Sequence, residues 1–172
     1  MDNTTVIERL QAALPEAIAS SQEFRGQLSV FVKREAILDV ARFLRDDPQL
    51  RYNFLENLCG VDYLGRTPRF EVVYHLLSHA NRHRVCLKVG LPESDPSVDS
   101  LTPLWSTANW QEREAFDMFG ITFGGHPSLE RILMPDDWEG HPLRKDVPLG
   151  AEEVAFTFNE QQIYARKTFA DE

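Results

Sequence analysis

The sequence predicts an α+β domain: a small, mostly antiparallel sheet with helices packed on one face, followed by a long irregular docking segment. Three observations predict it. Two apolar stripes of helical period lie within the first 45 residues. Two β-branched and aromatic runs, residues 70–77 and 84–89, flank a short polar turn. Beyond residue 120 neither period continues, although large apolar and charged side chains persist. Helices and strands in the order α-β-α-β-β-β-α, without strict βα alternation, favour helices segregated to one face of the sheet. The expected division is residues 1–120 as the α+β domain and 121–172 as an extended docking segment with a C-terminal tail.

Each element has a local reason. Thr4 or Thr5 caps a first helix that runs to about Leu14, with Val6, Leu10 and Leu14 on one face and Pro15 ending it. Residues 28–32 (LSVFV) read as a short strand. Residues 34–45 form a second amphipathic helix, with Ile37, Leu38, Ala41 and Leu44 as its stripe and Asp46-Asp47-Pro48 closing it. Residues 53–63 are ambiguous: 53–58 fit one helical turn, and 59–63 fit a strand. Residues 70–77 and 84–89 form a hairpin, with 78–82 as its turn. Residues 92–97 are a polar linker, and 100–105 begin a helical segment that breaks near Asn109. A third helix follows over 110–119, with Asn109 as N-cap, Glu112 at N3 and Gly120 at C′.

The bulk numbers bound the function. At 172 residues the chain is one ordinary domain, long enough to bury a core without disulfides. A net charge of −9 leaves no basic excess for phosphates, so nucleic acid is not the expected partner. An acidic chain can still dock on a basic patch of another protein. Cys59 and Cys86 form no CxxC pair and read as small buried hydrophobes in a reducing compartment. The first residues lack the basic and apolar regions of a signal peptide, and no apolar run is long enough to span a membrane.

Residues 112–148 carry the strongest functional signal. They hold eight acidic and four basic residues, Trp138, and two Gly-His-Pro triplets at 125–127 and 140–142. At about 100° per residue, Glu112 shares an arc with Ala115, Phe116 and Phe119, while Arg113, Glu114 and Asp117 lie on the other side. A carboxylate on the apolar side must meet an Arg or backbone donors. Arg131 and Arg144 are the natural bidentate partners for Glu112, Glu114 or Asp117. Asp136 and Asp137 are adjacent, so they do not converge on one substrate, and Asp136 after Pro135 fits a turn. His126 and His141 each precede a proline, which favours extended backbone and a structural role in a loop network. His75, His79 and His83 would line up on a helix, but strand-turn-strand scatters them. A metal-dependent hydrolase using His126, His141 and Asp136 is the competing chemistry, without a compact ligand motif behind it. No phosphate loop, dinucleotide fingerprint or nucleophile elbow is present. The candidates for partner contact or loop pinning are therefore Glu112, Arg113, Glu114, Asp117, His126, Arg131, Asp136, Asp137, Trp138, His141, Arg144, Lys145 and Asp146. No catalytic, cofactor-binding or metal-binding residue is expected.

The same run resembles the signature of the thirty-kilodalton subunit family of NADH:quinone oxidoreductase (respiratory complex I). The matching residues are Glu112-Arg113-Glu114, Asp117-Met118-Phe119-Gly120, Phe123, Gly125-His126-Pro127, Leu129, Arg131-Ile132-Leu133, Asp136-Asp137-Trp138, Gly140 through Asp146, and Pro148. The resemblance extends over roughly residues 25 to 150 and departs at Val147, where the family usually places an aromatic. It implies a non-catalytic, cofactor-free α+β subunit of the hydrophilic arm, on the cytoplasmic face of the bacterial plasma membrane. NADH, FMN, iron–sulfur clusters and quinone belong to the complex. The implied partners are the quinone-cavity subunit and the cluster-bearing subunits of the same arm, with no membrane span of its own. The equivalent subunit of a membrane-bound hydrogenase or a deazaflavin-linked dehydrogenase is the alternative.

Overall fold

The computed structural model describes residues 1–147. Helix α1 (Asn3–Ala13) starts at Asp2, whose carboxylate accepts from the Thr5 N–H at 2.8 Å, so the cap lies slightly earlier than expected. Strand β1 (Ile18–Phe24) follows, then β2 (Gln27–Val32), α2 (Ile37–Asp46), β3 (Phe54–Asp62), β4 (Phe70–Ser78) and β5 (His83–Leu91). Strand β6 (Ser97–Asp99), helix α3 (Ala108–Phe119) and strand β7 (Thr122–Gly124) complete the order.

Five strands form one sheet in the order β1-β2-β5-β4-β3. All neighbours are antiparallel except β2 with β5, which run parallel. Alternation sets the two faces. Leu28, Val30 and Val32 of β2, Val72, Tyr74 and Leu76 of β4, and Val85, Leu87 and Val89 of β5 are buried. They join Val6 and Leu10 of α1 and Ile37, Val40, Ala41 and Leu44 of α2 in one core. Burying each such side chain favours folding by roughly 1.5–3 kcal/mol. The alternate residues Ser29, Phe31, Glu71, His75 and Lys88 are half-exposed, as expected of a sheet covered on one side.

Two expectations fail, and one strand lies where none was expected, each for an identifiable reason. β1 (IASSQEF) carries no apolar alternation because it is an exposed edge strand, and its pairing with β2 is invisible locally. Residues 53–58 are not a helical turn: β3 runs through them, with an irregularity in its register between Leu55 and Asn57. That extra residue mimics helical spacing, and pairing with β4 decides the conformation. Residues 100–105 make one turn, with the Leu104 and Trp105 N–H groups both on the Leu101 carbonyl, and the helix begins only at Ala108.

α3 packs along β3. Gly60 permits this approach: a Cβ there would lie 2.8 Å from Phe119 Cδ2 and 3.1 Å from Ile121 Cδ1. Ile121 and Phe123, past the end of α3, are buried in the same core. β7 pairs in parallel with β6, forming a separate two-stranded ribbon.

Candidate docking surface

Helix α3 positions the first group of candidate residues. Thr107 precedes it and provides no side-chain cap, so Asn109 lies inside the first turn instead of capping it. Gly120 ends it as expected, in the left-handed region at φ +77°. A side chain at Gly120 would also strike the His141 ring, 2.7 Å from the ideal Cβ position.

Glu112 is fully buried on the apolar arc. It is not a capping carboxylate. Ser100 Oγ donates to its Oε2 at 2.6 Å, and the Leu101 N–H donates to its Oε1 at 2.7 Å. The carboxyl thus anchors the loop before the helix. His126 Nε2 stands 4.0 Å away, but that ring is committed elsewhere. Its Nε2 faces the Asn109 carbonyl at 3.2 Å, and its Nδ1 accepts from the Ser128 N–H. Burial dominates, against the two hydrogen bonds, and the Glu112 pKa is raised to about 7.

Asp117 departs most from expectation. Helical period places it with Arg113 and Glu114 on the outer face, yet it is fully buried. Residues 131–141 fold back over that face. Asp117 Oδ1 takes Arg131 Nη1 at 2.6 Å. Its Oδ2 takes three successive backbone N–H groups, Ile132 at 3.0 Å, Leu133 at 2.8 Å and Met134 at 2.9 Å. Burial pushes this carboxyl up, but these donors overbalance it, and its pKa is lowered. Arg131 extends the tie through Nη2 to the Trp138 and Gly140 carbonyls. Arg113 does not pair with Asp117, one turn on; it donates to the Glu130 and Arg131 carbonyls and stacks over Trp110. His141 Nδ1 faces the Asp117 carbonyl at 2.9 Å, with its ring edge-on to Phe116.

The second group lies at residues 143–146. Leu143 N–H donates to the Met118 carbonyl, and Lys145 N–H donates to Asp62 Oδ2 at 2.8 Å. Asp146 accepts from both Arg144 and Arg69. Arg144 is therefore not the partner of Glu112, Glu114 or Asp117, because its loop lies by β3 and β4. Local reading misses the centre of this cluster. Arg69, only 3% exposed, binds Asp62 through two parallel bonds and reaches Glu93 and Asp146 with its third nitrogen. The bond to Arg69 leads in holding the Asp62 carboxyl low; Arg144 and then Arg69 hold Asp146 far below its usual range. Opposite charges at 62 and 69, flanking one loop, were the available signal. For Ser100 there was none.

Glu114, Asp136, Asp137 and Lys145 are exposed, and among the described residues their side-chain charges have no ion-pair partner. Asp136 and Asp137 occupy the turn closed by the Trp138 N–H on the Pro135 carbonyl. Trp138 is half-buried. Leu133, Leu143 and Trp110 expose more than half their surface beside these charges. His126, His141 and Asp136 do not converge, and among the described residues no three His, Cys, Asp or Glu side chains are placed to hold a metal ion. The surface offers charge, apolar contact and backbone order, which suits docking more than chemistry.

A family model described as "Respiratory-chain NADH dehydrogenase, 30 Kd subunit" matches residues 30–153. The chain is 76% identical over 172 residues to an NADH-quinone oxidoreductase subunit of Roseiflexus castenholzii, covering 100% of this chain and 99% of that one. It is 55% identical over the same length to the same-named subunit of Herpetosiphon aurantiacus, again with 99% of the relative covered. Among solved structures, a trypsin-resistant fragment of Nqo5 superposes with TM-score 0.61 at 35% identity, covering 72% of this chain and 99% of the fragment. A chain of an archaeal membrane-bound sulfane sulfur reductase shares the fold with TM-score 0.68 at 22% identity, covering 83% and 84%.

Proposed function

The chain belongs to the respiratory-chain NADH dehydrogenase 30 Kd subunit family, and we propose that it is a non-catalytic structural subunit of the hydrophilic arm of an NADH:quinone oxidoreductase. NADH, FMN, iron–sulfur clusters and quinone serve the complex, and this chain carries none of them. It braces the quinone-cavity subunit and neighbouring cluster-bearing subunits. Among the described residues no helix is long and apolar enough to cross a membrane. The chain is held peripherally, on the cytoplasmic face, by the complex it joins.

One observation carries this reading. Buried Asp117 and half-buried Arg131 fix residues 131–140 by their backbone and leave Leu133, Asp136 and Asp137 facing outward. A loop ordered from beneath presents its upper side chains without further ordering cost at binding. On this reading Glu114, Asp136, Asp137, Trp138 and Lys145 belong to partner contact. Glu112, Arg113, Asp117, His126, Arg131, His141, Arg144 and Asp146 belong to loop pinning. The domain proper, expected to end at residue 120, extends on this reading through β7, and the docking segment follows; its tail, residues 148–172, lies outside the described residues.

The test is recovery of an affinity-tagged chain from detergent-solubilised membranes. Co-purification of the quinone-cavity and cluster-bearing subunits, with NADH:quinone reductase activity, is the expected result. Recovery of the chain alone overturns the reading.

A further inference from the structure

We propose that the edge of β3 left open among the described residues accepts an extended segment of a neighbouring subunit as a sixth strand, with that segment's inward side chains seated in the groove between β3 and α3. The proposal rests on membership of the assembly argued above and names the chemistry of the contact.

The five-stranded sheet has two edges, β1 and β3. They differ. β1 is polar along its length, with Ser20, Ser21, Gln22 and Glu23 exposed. Polar and charged side chains are how an edge is kept from pairing with another chain. β3 carries no charge from Asn57 to Val61. An uncharged stretch of edge, open among the described residues, is an aggregation hazard that pairing removes.

The groove beside this edge defines the occupant. A cavity of about 280 Å³ runs between residues 57–60 of β3 and α3, with Leu143 at its margin. Ala115, Met118 and Phe119 give it an apolar wall. Gln111 also lines it, and its Oε1 is buried and without a hydrogen-bond partner among the described residues. Such an atom costs roughly 1–3 kcal/mol until a donor reaches it. Glu114 lies on the rim, exposed. An extended peptide meets all four demands. Its backbone pairs with the strand edge, an aliphatic side chain fills the groove, an N–H reaches Gln111, and a Lys or Arg faces Glu114. A second copy of this chain fits poorly: its β3 would bring Glu56 and Asp62 and no cation, between molecules of net charge −9.

The test is hydrogen exchange of the full-length chain, free and within the purified complex. The outward amides of residues 57–61 exchange quickly in the free chain and slow at least about tenfold in the complex. Leu143→Glu and Glu114→Arg alter exposed side chains, so the free-chain melting temperature stays unchanged while recovery of partner subunits falls at least about tenfold. Equal exchange in both states, with the complex recovered, overturns the sixth strand and leaves the assembly reading standing. Unimpaired recovery with both variants overturns it as well. Slowing that rises with the concentration of the free chain assigns the edge to a second copy, and overturns it equally. If wild-type chain recovers no other subunit, the assembly reading falls and takes this proposal with it.

Discussion

Glu112→Gln isolates the cost of one buried charge. In the folded chain the Glu112 pKa is raised from 4.5 to about 7, chiefly by burial. The sign follows from proton counting. Below pH 4.5 the carboxyl is protonated in both states and costs nothing. Between 4.5 and about 7 the unfolded chain gives up this proton while the folded chain keeps it, so stability falls as pH rises. Above about 7 both states are ionised and the loss levels off. At about 1.4 kcal/mol per pH unit, the full loss is about 3 kcal/mol. Gln fills the same space, its carbonyl accepts from the Leu101 N–H, and its amide donates to Ser100 Oγ. The measurement is denaturant unfolding of wild type and variant at pH 5 and pH 8. Taking the difference between the proteins cancels every other titrating group. The variant should gain about 2.5 kcal/mol relative to wild type between these pH values, since part of the loss is already present at pH 5; that corresponds to roughly 5–10 °C in Tm for a chain of this size. A difference that does not change with pH would refute the claim that the carboxyl is buried without a counter-charge.

The opposite case is Asp117→Asn, which should destabilise by about 3–5 kcal/mol: the charge is lost, and the amide NH2 must face either Arg131 or the three backbone N–H groups, donor against donor. Because this carboxyl is held low, its contribution is present above pH 4 and is lost as pH falls through the folded pKa, so wild type and variant should converge in acid; constant separation down to pH 2 counts against it. Arg69→Met should cost about 3–5 kcal/mol in chemical denaturation, since it strands Asp62 in a buried site, and an unchanged midpoint would show that the cluster is solvated. Gly60→Ala should cost about 1–3 kcal/mol by pushing α3 off β3, visible as a lowered Tm; a raised Tm would mean that Phe119 yields freely.

What was legible in the sequence was whatever has a local period. The stripe of Ile37, Ala41 and Leu44, the strand run at 70–77 and the inward turn of Glu112 all follow from one residue's relation to its near neighbours. What escaped depends on distant chain. β1 is a strand because β2 lies beside it, and its polar residues record only that it is an edge. Asp117 sits on the outer arc of α3 by period, and residues 131–141, more than a dozen positions on, make that arc an interior. Arg69 and Asp146 meet across 77 positions. The pairing of Arg131 with Asp117 was only one of several open in the sequence, since Arg113 lies nearer and Arg144 carries the same group; the fold-back of residues 131–141 decides among them.

The charged residues of the docking segment divide by depth, and the division assigns them different work. Asp117 and Arg131 are spent inside, on backbone groups of residues 132–134, 138 and 140. Glu114, Asp136, Asp137 and Lys145 remain outside. Ordering a loop residue at the moment of binding costs roughly 1–2 kcal/mol, so a loop held by buried donors and acceptors has met that cost at folding. Changes at the inner residues should therefore weaken both folding and assembly, while changes at the outer ones should weaken assembly alone. This is why so many reactive-looking side chains can sit together without a reaction: their polarity is consumed in fixing a shape that another protein meets.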